Sequence, residues 1–147
     1  MSAISDIAEA VKTILNVPTF SPPFTATRGY LPVFELEDMN TLHVTVVPRT
    51  ETILPASRSQ NQHDYQIDIA VQQRFSDDTN AVIDPLMTLV EAIKDYLKQL
   101  QLVGNATALD SSWVRTANEP IYDPAHMSKW RQFTSLLTVT YRVFRPL

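Results

Sequence analysis

Apolar positions recur along the chain with two periods, and the changes between them mark its elements. Ile4, Ile7, Ala8, Val11, Ile14 and Leu15 fall at helical spacing, which predicts an amphipathic helix over "ISDIAEAVKTIL". Ser2 caps its start and Pro18 in "NVP" stops it. "TFSPP", residues 19–23, is a stiff linker, and "FTATRGYLPVFELED" reads as one extended segment broken near Gly29 and Pro32. Proline cannot donate to a ladder, so this segment is an edge strand or a bent one. "TLHVTVV" then alternates Leu42, Val44 and Val46 against Thr41, His43 and Thr45, and Pro48 ends the regular pattern.

The cleanest alternation is in "DYQIDIAVQQRF". Tyr65, Ile67, Ile69 and Val71 point one way, and Gln66, Asp68, Ala70 and Gln72 the other, as in a strand with one face buried. Val82, Leu86, Leu89, Val90, Ile93, Leu97 and Leu100 form the stripe of the longest helix. Its start falls near Asn80 with a bend at Pro85, or at Asp84 with Pro85 in the first turn. The early start is favoured because Val82 and Ile83 already lie on the apolar face. Gly104 suits the position beyond its end. A short strand follows around Trp113–Asn118. The closing strand places Phe133, Ser135, Leu137, Val139, Tyr141 and Val143 on alternate positions, inside the sheet.

The order is thus α-β-β-β-α-β-β, an α+β fold with a mostly antiparallel sheet and two helices packed on one face. Two connections stand out. Residues 49–63, an arm between strands two and three, are far longer than the two to five residues of an ordinary hairpin loop. Residues 119–130, including "PAHMSKW", form the second. Each mixes apolar, aromatic or cationic groups: Arg49, Ile53, Leu54, Pro55 and Arg58 in the first, and Ile121, Tyr122, Met127 and Trp130 in the second. Aromatic, Met and Arg enrichment is typical of interface cores. Long structureless loops in small domains are commonly functional or disordered, and Ile53, Leu54 and Pro55 weigh against disorder because apolar groups left in water cost free energy. The arm is therefore expected to reach a neighbour rather than to close a hairpin.

Composition narrows the chemistry. The 147 residues suit one domain. With no cysteine, disulfides and thiolate metal sites are excluded. Formal net charge is −4, without the basic excess of a protein that grips phosphate backbones. No apolar run approaches the roughly 20 residues of a membrane span. Glycine occurs only as Gly29 and Gly104, which leaves no glycine-rich phosphate loop. His43, His63 and His126 lack local ligand spacing, and Asp77–Asp78 have a ready role facing a helix dipole. Of the carboxylates Glu35, Glu37 and Asp38, the last two fall at a turn before "MN" and read as a solvated turn. No glycine-flanked nucleophile elbow is present. These features lead us to expect no enzyme, no cofactor and no metal.

The helix "ISDIAEAVKTIL", the arginine-bearing arm before "DYQIDIAVQQRF", the helix "VIDPLMTLVEAIKDYL" and the last strand "FTSLLTVTYRVF" together resemble, in order and spacing, the tail terminator (tail completion) proteins of long-tailed bacteriophages. The resemblance implies a single tail-terminator-like domain over residues 1–147. It also implies a homo-oligomeric ring, typically a hexamer, that caps the tail tube protein, ends its polymerisation and offers a surface to the head–tail connector or stopper protein. DNA would only pass through the bore. The protein would reside in the virion's tail or neck, with no membrane partner, after assembly in the host cytoplasm. By the same analogy Arg49–Arg58 belongs to an intersubunit or tube-facing contact, and residues 121–130 to a second surface. Related readings are a neck or head-completion protein, or another minor tail component. A small cofactor-free enzyme and a nucleic-acid binder have less in the residues to recommend them.

Overall fold

A computed structural model describes residues 2–30, 41–75, 79–98 and 111–146, apart from the side chains of Lys129 and Trp130. Along the chain lie α1 (Ala3–Leu15), β1 (Ala26–Arg28), β2 (His43–Pro55), β3 (Gln60–Arg74), α2 (Asn80–Leu97), β4 (Ser112–Asn118), α3 (Pro124–Trp130) and β5 (Gln132–Pro146). The five strands form one sheet in the order β1-β2-β3-β5-β4. The β1–β2 pair is parallel and the rest are antiparallel. The expected α+β class holds, with α3 added where a connection was expected.

One face of the sheet is the floor of the core. Val44 and Val46 of β2, Tyr65, Ile67, Ile69 and Val71 of β3, and Leu137, Val139 and Tyr141 of β5 pack beneath α1 and α2. From α1 come Ile7, Val11 and Leu15, and from α2 Leu86, Leu89, Val90, Ile93 and Leu97, all essentially buried. Burying a side chain of this size from water is worth roughly 1.5–3 kcal/mol, so these two stripes hold the helices down. Ser2 accepts from the Ser5 amide at 3.3 Å and starts α1. Beyond the helix end, Asn16 binds the backbone of Ala26 on both sides, accepting from its N–H at 2.7 Å and donating to its carbonyl at 3.1 Å. That clamp brings β1 to the edge of β2.

α2 starts at Asn80, so Pro85 lies inside the helix. Exposed Ala81 leaves the carbonyl that Pro85 cannot serve close to water. The closing strand lies inside the sheet as expected, between β3 and β4. Residues 31–40, Asp77, Asp78 and Gly104 fall outside the described residues, so the readings placed there do too.

Two expectations change. The arm is not an unstructured connection. After Pro48 the ladder slips by one residue at Arg49 and resumes, pairing Thr50 with Gln66 and continuing to Pro55 with Asn61. The ribbon turns over Ala56–Ser59, where the amides of Ala56 and Ser57 donate to the Gln60 carbonyl at 3.2 and 3.1 Å. On its other side β3 remains paired with β5 as far as Gln60 with Pro146. The arm is thus a hairpin, widened by the end of β5 into a three-stranded ribbon. The second connection also contains structure: "PAHMSKW" is α3. Asp123 caps it by accepting from the amides of Ala125 and His126 at 3.0 and 3.3 Å. It ends at Arg131, whose φ of 48° is left-handed and whose amide donates to the His126 carbonyl.

Candidate functional site

The ribbon is the most exposed part of the described chain. Every residue from Arg49 to Gln60 is exposed. Because side chains alternate across a strand, its residues sort onto two faces. The row Ile53–His63–Val143 lies on the helix-bearing side, and the row Leu54–Gln62–Phe144 on the other. Ile53, Leu54 and Phe144 are each about half exposed, at 52%, 49% and 53%. Large apolar groups clustered on a projecting element indicate a contact surface more strongly than the same groups scattered singly.

Polar bonds stiffen the base of the ribbon. Arg142 of β5 grips Asp64 of β3 with two bonds, Nε to Oδ1 at 2.8 Å and Nη2 to Oδ2 at 3.1 Å. The guanidinium holds the Asp64 carboxyl below the usual carboxylate range. Arg49, at the slip in the ladder, donates to Thr138 Oγ1 at 3.1 Å and lies 3.5 Å from Asp68. Thr138 in turn donates to Asp68 at 2.8 Å, so β2, β3 and β5 are laced together on this face. On the helix-bearing side His63 Nδ1 lies 2.9 Å from Glu51 Oε2, and Arg145 donates to the Tyr65 hydroxyl at 3.3 Å. The bond to His63 is the largest influence holding the Glu51 carboxyl low.

Of the residues singled out from sequence, Ile53, Leu54, Pro55 and Arg58 come together at the distal ribbon, and Arg49 sits at its base. Tyr122 lies elsewhere, following β4, and is 45% exposed. Met127, on α3, is partly buried and packs against the core. Trp130 is the last residue of α3, and its side chain lies outside the described set. The five ribbon residues therefore lie on one hairpin, apart from Tyr122 and Met127 of the second segment.

Phe144 was missed by sequence reasoning. Its signal was there: it is an aromatic out of phase with Leu137, Val139, Tyr141 and Val143 on the same strand. Ile121, 49% exposed, belongs with Tyr122 at the far end of the sheet. There a groove of about 380 Å³ opens between α2 and the end of β4. No group of three or more His, Asp or Glu side chains suited to a metal occurs among the described residues. No helix among them is long and apolar enough to cross a membrane.

No protein-family model and no curated protein matches the chain. Among solved structures, the chain is similar to one in the virion of a native gene transfer agent particle. The likeness covers 99% of this chain and 100% of that one, with a TM-score of 0.61 and 15% sequence identity. At that identity the likeness is one of fold.

Proposed function

We propose that this protein is a structural component of a phage-like particle, and within it a ring-forming terminator of the tail tube. The observation that carries the reading is the end-to-end fold likeness to a chain of a gene transfer agent virion. It spans nearly all of both chains rather than a short shared motif. The projecting ribbon agrees with it. Ile53, Leu54 and Phe144 would gain roughly 25 cal/mol for each Å² of apolar surface covered by a partner. The bonds between Arg142, Asp64, Arg49 and Thr138 hold the ribbon in shape beforehand, which lowers the entropy cost of association.

In this role the chain catalyses nothing. Its ring would sit on the last ring of tail tube protein, block further addition, and present its other side to a connector or stopper protein.

Light scattering on the purified protein, alone and with tail tubes, tests the reading. The expected result is a multiple of the 16.6 kDa chain mass, either in solution or formed on tube ends. A monomer that ignores tubes but binds head-side components would instead identify a neck protein. A monomer indifferent to both would overturn a place in the particle.

A further inference from the structure

Two unsatisfied patches lie at opposite ends of the same sheet. At one end the ribbon presents Leu54 and Phe144 with Arg58 in the turn. At the other, Asp84, Met87, Glu91 and Lys94 of α2 face Asn118 and Ile121 across the groove. With two carboxylates against one ammonium, the groove carries a net negative charge opposite to that of Arg58. Arg58 has no carboxylate partner among the described residues, and Asp84 and Glu91 have no cationic one. Their apolar groups also match in kind, since Leu54 and Ile121 are each 49% exposed.

One chain cannot bring its own two patches together. Leu54 and Phe144 share a row with Gln62 at the tip end of β3. The segment after β4 is tied to the other end of β5, where the Asp123 amide donates to the Thr134 carbonyl at 3.0 Å. Thr134 and Phe144 lie on one continuous strand, about 33 Å apart at 3.3 Å per residue. The ribbon is paired along its whole length, so it does not fold back across that distance.

We infer that the ribbon tip of one copy docks in the α2–β4 groove of a second copy, with Arg58 meeting Asp84 and Glu91, and Leu54 packing on Ile121. The two patches differ in shape and charge, so the contact is heterologous, the kind that repeats around an axis to close a ring. This inference rests on the ring-forming reading and specifies how its subunits meet.

The chain has no cysteine, so engineered thiols report the contact directly. Leu54→Cys combined with Ile121→Cys should yield, on mild oxidation, a ladder of covalent species of three chains and more. Each single substitution should give no ladder. Arg58→Glu should weaken assembly, and adding Glu91→Arg should restore it. Disulfide dimers from Leu54→Cys alone would mean tip-to-tip contact and overturn the docking. A scattering mass above the monomer with no ladder would overturn it while leaving the ring intact. A monomer at every concentration, with tail tubes and without, and no ladder, would overturn both.

Discussion

At the residue scale, Tyr141 separates packing from polarity. Its ring is fully buried beside Tyr65, but its hydroxyl has no hydrogen-bond partner among the described residues. Burial pushes the phenol well above its ordinary value. The raised folded value means the native state holds this proton more tightly than the unfolded chain. Its contribution to stability is complete below the unfolded value, about 10. It is lost progressively as pH rises from there towards the folded value. Tyr141→Phe removes an unsatisfied polar atom without opening a cavity. Chemical denaturation should show it more stable by about 1 kcal/mol at neutral pH, with a smaller loss above pH 10. A variant less stable than the parent would show that the hydroxyl has a partner after all.

At the element scale, the strands that bury one side were legible and the ribbon was not. Between Tyr65 and Val71 every second side chain enters the core, so the sequence alternates. In "TETILP" both faces are open, and in "QNQHD" no residue is fully buried, so burial imposes no alternation. Their strand character comes from their ladder partners, which sequence does not display locally. α3 escaped for another reason: seven residues are under two turns, too few for a helical period to appear. Phe144 was readable as an off-phase aromatic, yet its significance depends on Leu54 lying two strands away.

If the ribbon is an assembly device and not a support of the core, removing it should separate the two roles. Replacing residues 53–63 with Asn-Gly would join Thr52 to Asp64, which already face each other across the ladder, through a turn suited to a two-residue hairpin. The shortened chain should keep its helical circular dichroism and a cooperative melt, while losing its oligomeric mass. Loss of the fold itself would assign the ribbon to the core's support.

At the scale of the whole molecule, charge decides what the protein leaves alone. The chain carries a formal charge of −4. Arg28, Arg49 and Arg142 are each paired with a carboxylate, from Glu9, Asp68 and Asp64. If the proposed ring encloses DNA, this net negative charge would let the duplex slide more readily than bind. In a gel-shift titration at 50 mM salt, duplex DNA should not be retained. Retention that falls steeply with added salt would reveal a phosphate-binding surface.

The slip in the ladder at Arg49 has a last consequence, for heredity rather than mechanics. Before it, even-numbered residues of β2 such as Val44 and Val46 lie on the helix-bearing side. After it, odd-numbered ones such as Glu51 and Ile53 do. One extra residue thus sets the phase of everything beyond it. Loss of one codon from Thr50–Thr52, with the slip kept, would exchange the sides of the tip beyond it, turning Leu54 towards the helices and Ile53 away, whereas loss of Arg49 itself would close the slip and leave them in place. Lineages that vary freely in the residues of the ribbon should therefore still agree on their number.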